Sequence, residues 1–136
     1  MKYTLSINIE HSTFNPKSYI VTPNVLGVVG HIIDSFNIGI HSFNIIGSYG
    51  TGKSSFLLAL EDSLVNDSHI LLANNGQFNG YRRFKFYKIV GDYTSLYSLL
   101  TEHLFHDSAS ENLFENLSRF FARAEKRGEF VFIVID

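Results

Sequence analysis

Gly47-Ser48-Tyr49-Gly50-Thr51-Gly52-Lys53-Ser54 sets two glycines, a lysine and a hydroxyl at the spacing Gly-x-x-x-x-Gly-Lys-Ser, and Ser55 follows directly. Residues of these types at this spacing can hold a polyphosphate. Glycine tolerates positive φ and lets the backbone approach closely, so that successive N–H groups point at an anion. A helix that starts at Lys53 would add the positive end of its dipole. The Lys53 ammonium can bridge β- and γ-phosphates, and the Ser54 hydroxyl is a ligand type that Mg²⁺ accepts. A glycine-bearing turn could match by accident, but with glycine near 7% of average usage, four fixed positions do so in well under about 1% of chains this long.

The second chemical feature is Ile133-Val134-Ile135-Asp136, an apolar run that ends on a carboxylate. Buried strands often finish on a turn-forming aspartate, so this pattern alone says little. With a phosphate loop upstream it gains meaning, because phosphoryl chemistry needs a carboxylate at the end of a buried strand, directed at the same Mg²⁺. The expected site is therefore Gly47 to Ser55 for ATP or ADP, Ser54 and Asp136 for Mg²⁺, and Lys53 and Asp136 as the groups closest to the chemistry.

Those residues need elements to position them. Phe43-Asn44-Ile45-Ile46 reads as a short strand entering the glycine-rich turn, and Phe56, Leu57, Leu60 and Leu64 form one face of a helix leaving it. Before it, Thr22-Pro23 reads as a helix start with threonine as cap and proline in the first turn, and the apolar spacing carries that helix to about residue 37. Residues 3–9 alternate as a half-buried strand, and His69 to Ala73 is a candidate minor strand between turn formers. Residues 84–90 read as a strand and about 93–106 as a helix. Ser108 to Glu111 fits a capping box for a further helix that ends at Gly128. Phe130 to Ile135 is apolar without alternation, as in a strand covered on both faces of a parallel sheet. The expected fold class is α/β, a parallel sheet flanked by helices.

Composition narrows the field. The chain has 136 residues, with 11 basic and 13 acidic side chains and a net charge of −2, so no broad basic field for nucleic acid exists. The absence of cysteine excludes disulfide scaffolds, thiolate metal sites and thiol catalysis. No apolar run approaches the roughly 18 residues of a membrane span, and the first residues lack a secretory apolar stretch. The expected setting is cytoplasmic, with no membrane partner.

The pair Gly47–Ser54 and Phe130–Asp136 resembles the Walker A and Walker B motifs of P-loop NTPases. A strand and helix lie between them in sequence, which resembles the AAA+, STAND and RecA-like branch, where the Walker B strand is not adjacent to the P-loop strand. The segment before the P-loop, with Asp92-Tyr93-Thr94-Ser95-Leu96 after the next strand, looks most like origin-recognition and STAND relatives and the large ATPases of anti-phage defence. The resemblance implies phosphate contacts along Tyr49 to Ser55 and adenine packing against Tyr19–Asn24. It also implies that residues 1–24 are an N-terminal strand and linker and that residues 25–136 are the N-terminal part of an ATPase domain. The remainder of a larger polypeptide would then supply the catalytic glutamate, sensor residues, arginine finger and one further sheet strand, whose absence leaves a gap one strand wide. On that reading these 136 residues hydrolyse ATP weakly or not at all, and self-oligomerisation is open.

Other residues carry less. Glu102, His103, His106 and Asp107 lack an identifiable third metal ligand and read as a solvated helix end. Arg82 and Arg83, with Tyr81, Lys85 and Lys88, form the basic-aromatic patch where a nucleic-acid contact could be tested, against the simpler reading of a charged strand edge. Arg119, Arg123 and Arg127 share a helix face and read as solvated. Two rival functions stay open: a small nucleotide or nucleoside kinase, and a non-catalytic nucleotide-sensing scaffold.

Overall fold

The computed structural model describes residues 14–47, 52–71, 77–90, 95–105 and 112–136. Residues 3–9, the loop positions Ser48 to Thr51, residues 91–94, and His106 through Glu111 lie outside the described residues.

Among the described residues a short 3-10 helix (Pro16–Ser18) is followed by six longer elements: α1 (Pro23–Asn37), α2 (Lys53–Val65), β1 (Arg83–Ile89), α3 (Leu96–Leu104), α4 (Leu113–Lys126) and β2 (Glu129–Ile135). Helix α1 begins where its sequence dictates: the Thr22 hydroxyl accepts from the Val25 amide at 3.2 Å and Pro23 occupies the first turn, where a missing N–H leaves nothing unsatisfied. Gly39 takes φ +95° after it, and Gly128 takes φ +69° after α4, both in the left-handed region that glycine favours at helix ends. The cap of α4 is Asn112, whose side chain accepts from the Glu115 amide at 3.2 Å.

β1 and β2 form a two-stranded parallel sheet in the register Arg83↔Glu129 through Ile89↔Ile135. Helices cover both faces. Phe84, Phe86, Phe130 and Phe132 turn to the side where α1 and α2 pack, and their core includes Phe36, Phe56, Leu60, Leu64 and Phe78. Ile89 and Ile133 turn to the other side, against Leu99, Leu100, Phe105 and Phe120 of α3, its end and α4. This two-sided burial explains why β2 reads as an unbroken apolar run. Phe78 sits at the centre of the first core, fully buried, with its ring edge-on to Phe36, Phe84 and Phe132 at 5.1–6.0 Å. Asn37 holds the turn that carries it, donating to the Gln77 carbonyl at 3.0 Å and accepting from the Asn79 amide at 2.8 Å.

The expected strand at 43–46 is not paired. Phe43 and Ile45 are half-buried while Ser42, Asn44 and Ile46 are exposed, so the alternation of a strand persists. A ladder needs a neighbour, however, and among the described residues no backbone hydrogen bond joins 41–47 to β2. Between them lies a cavity of about 980 Å³. Residues 69–71 form no strand either; Leu71 instead donates its amide to the buried Ser63 hydroxyl at 3.2 Å.

Where β2 begins, the Arg127 Nε donates to the Glu129 carboxylate at 2.9 Å. That hydrogen bond is the main reason the Glu129 carboxyl lies below its ordinary range; burial opposes it, and the charges of Arg127, Arg83 and Lys85 reinforce it. A folded-state value below the unfolded one gives stability that is present at neutral pH and lost as pH falls through the depressed value. In Arg127→Gln the Glu129 carboxyl midpoint, followed by side-chain carbonyl NMR, should move up toward the ordinary carboxylate range. An unmoved midpoint would show that the neighbouring cations, not this bond, set it.

Candidate phosphate-binding site

Helix α2 starts at Lys53, with Gly52 ahead of it at φ +87° and no side-chain cap. A helix start without a capping side chain leaves its first N–H groups to other acceptors, and those groups carry the positive end of the dipole. A side chain at residue 52 would be strained in this conformation, which is the physical content of the motif's second glycine.

Two bonds gather the expected site. The Lys53 ammonium donates to the Gly47 carbonyl at 2.6 Å, which brings the lysine to the first glycine of the motif. The Ser54 hydroxyl donates to the Asp136 carboxylate at 2.7 Å, across 82 residues of sequence. Lys53, Ser54 and Ser55 are half-buried, whereas Gly47, Gly52 and Asp136 are exposed. Asp136 is held in place from behind, because its amide donates to the Ile89 carbonyl at 2.9 Å and so continues the sheet by one bond. The ends of the sheet, the start of α2 and residue 47 therefore meet at one point.

The donor chemistry suits Mg²⁺. A serine hydroxyl and a carboxylate are hard oxygen donors, and Mg²⁺ is commonly held by one or two carboxylates together with substrate phosphates and water. Among the described residues no group of three or more His, Asp or Glu is gathered. When bound, Mg²⁺ would neutralise charge on β- and γ-phosphate oxygens.

Other expected residues fall elsewhere. Arg83 pairs in register with Glu129, at the opposite end of the seven-residue sheet from Asp136, roughly 20 Å away at the strand rise. Its guanidinium donates to the Arg127 carbonyl at 3.1 Å and so caps the end of α4. Arg83 thus lies at the far end of the sheet from the Ser54–Asp136 pair. Lys85 lies 5.5 Å from the Tyr87 ring centroid and Lys88 pairs with Glu61 of α2 at 2.8 Å, so part of the basic patch is engaged within the fold. Arg119 pairs with Glu115 one helical turn away. Tyr19, in the segment expected to meet adenine, packs against Phe14 at 5.8 Å, and burial pushes its hydroxyl pKa up. His41, which no sequence motif singles out, has its ring 4.5 Å from Phe36 and 5.8 Å from Phe130; its place at the edge of the Phe43–Ile46 run is the signal the sequence carries for it.

No protein-family model matches the chain, and comparisons with curated proteins and with solved structures return no match. Among the described residues, no helix is long and apolar enough to cross a membrane. The fold is mixed α/β with a parallel two-stranded sheet between helices.

Proposed function

We propose that this chain is the nucleotide-binding part of a P-loop ATPase, taking ATP or ADP with Mg²⁺ between Gly47 and Ser55. The observation that carries the reading is the Ser54–Asp136 hydrogen bond. The glycine–lysine motif and the apolar run that ends on a carboxylate, far apart in sequence, converge on a single pair of Mg²⁺-compatible oxygens beside Lys53. Chance resemblance of either motif gives no reason for that convergence.

In this reading Lys53, which now donates to the Gly47 carbonyl, would supply positive charge to the phosphates, and the start of α2 would offer backbone N–H groups to the same anion. Ser54 and Asp136 would hold the cation. The resemblance to AAA+ and STAND proteins suggests that binding and hydrolysis drive conformational change or assembly in a larger polypeptide, in DNA-related or anti-phage defence work. A nucleotide-sensing scaffold would share the same binding site, and phosphate release by the intact protein distinguishes the two.

The pairing has its own test. Thermal unfolding of Asp136→Asn with ATP should lose the part of the stabilisation that depends on Mg²⁺ while keeping some response to nucleotide alone. A Mg²⁺ increment equal to that of the parent chain would remove Asp136 from the metal site.

A further inference from the structure

Two basic stretches that lie apart in the sequence meet at one end of the sheet. Segments 82–85 and 115–129 carry seven of the chain's eleven basic side chains, all five arginines among them, against three of its thirteen acidic ones. The first opens β1, and the second runs through α4 to the start of β2. The Arg83 guanidinium donates to the Arg127 carbonyl at 3.1 Å, so the two stretches are in contact. The charges of Arg83, Lys85 and Arg127 all reach the Glu129 carboxylate. Along α4, Arg119, Arg123, Lys126 and Arg127 fall within an arc of about 100° at 3.6 residues per turn. Phe121 and Glu125 lie on the opposite flank, over the large cavity. The result is one cationic face, about 12 Å long on the helix and continued by the first residues of β1, at the far end of the sheet from Asp136.

Part of this charge serves the fold. Arg83 caps the end of α4, Arg127 engages Glu129 at 2.9 Å, and Arg119 engages Glu115. Among the described residues, Arg82, Arg123 and Lys126 are exposed and form no ion pair. Lys85 is exposed as well, above the Tyr87 ring. Like charges gathered on one face repel one another, and a polyanion laid against them relieves that repulsion.

The neighbours of the cations select the polyanion. Five of the seven are guanidiniums, whose planar forks suit phosphate oxygens in bidentate pairs. The rings that the sequence sets beside them are engaged in packing: Tyr81 on Phe130 at 5.2 Å and Tyr87 on Phe120 at 5.1 Å. Lys88 turns to the other side of the sheet, toward Glu61. Neither ring is open to stack a base, which argues against a single strand. A 12 Å length of duplex carries about seven negative charges, whereas an extended acidic peptide of that length has only about four residues. None of the exposed large apolar side chains of the described residues lies on this flank of α4, so a membrane surface would gain no apolar insertion.

We propose that this face binds the phosphate backbone of a nucleic-acid duplex without reading its sequence. The inference does not rest on nucleotide binding at Lys53 and is tested with no nucleotide present, so either reading can fail without the other.

The test is a fluorescence-anisotropy titration of the 136-residue chain into labelled DNA and RNA duplexes of about 20 base pairs, between about 50 and about 200 mM salt. Phosphate contacts by Arg82, Lys85, Arg123 and Lys126 give a log–log salt slope near −3.6 and roughly a hundredfold loss of affinity over that range. Arg123→Gln combined with Lys126→Gln should halve the slope and leave the loss at about tenfold, with Tm unchanged because both side chains are exposed. Lys85→Gln, on the other element, should lower the slope by about one on its own. The two duplexes should bind within about tenfold of each other, and a single strand and polyglutamate at least about tenfold more weakly than either. No saturable duplex binding at the low-salt end, or variants that match the parent in affinity and slope, would overturn the proposal. So would a single strand as tight as duplex, which calls for base stacking, or polyglutamate as tight as duplex, which calls for an acidic protein partner.

Discussion

Lys53→Ala is expected to lose nearly all stabilisation by Mg²⁺–ATP. For the parent chain, ligand at 100 times its dissociation constant adds about 2.7 kcal/mol to the folded state, a rise in Tm on the order of 10 °C for a domain of this size. Lys53 would meet the phosphates through charge-assisted hydrogen bonds, each worth roughly 1.5–3 kcal/mol. Losing them weakens binding by about two orders of magnitude, which leaves under about 0.5 kcal/mol of stabilisation at the same ligand concentration. The unliganded variant also loses the bond to the Gly47 carbonyl, so the comparison is the ligand-induced shift within each protein. Equal shifts in parent and variant would remove Lys53 from the site.

The second large effect concerns the fold. Phe78 is wholly buried, meets three aromatic rings, and is carried on the turn that Asn37 clamps. Phe78→Ala should cost about 3–5 kcal/mol through lost burial and the cavity left behind. Small domains have only about 5–15 kcal/mol in total, so the urea midpoint should fall by roughly a fifth or more. Phe114 is the control: its side chain is 79% exposed, and Phe114→Ala should change stability by less than about 0.5 kcal/mol. Similar losses from the two substitutions would contradict the packing described for residue 78.

What the sequence disclosed follows from the range of the forces involved. Caps and stops were legible because they are local: Thr22-Pro23 and Gly39 bound α1, Gly52-Lys53 opens α2, and Gly128 follows α4. The unalternating Phe130–Ile135 run announced a strand covered on both faces, and the two cores on either side of β2 account for it. The start of α4 was misplaced toward Ser108, because an asparagine cap at 112 has a weaker pattern than a capping box. Phe43–Ile46 was legible in its alternation but not in its pairing, since a ladder depends on a partner strand that local pattern cannot supply. Of the site, the lysine, hydroxyl and carboxylate were readable as residue types. Their contact across 82 residues is a product of the tertiary fold. Arg82 and Arg83 show the converse: their charge invites a functional reading, and the register of the sheet sets them at its far end.

The account stands on nucleotide occupying the turn between residues 47 and 55. Equilibrium titration of the parent chain with fluorescent ATP, in excess Mg²⁺ and again in EDTA, tests this most directly. One saturable site per chain that weakens at least tenfold without Mg²⁺ and is displaced by unlabelled ATP and ADP is the predicted result. No saturable binding, or binding of equal strength in EDTA and in Mg²⁺ that unlabelled nucleotide does not displace, would contradict it.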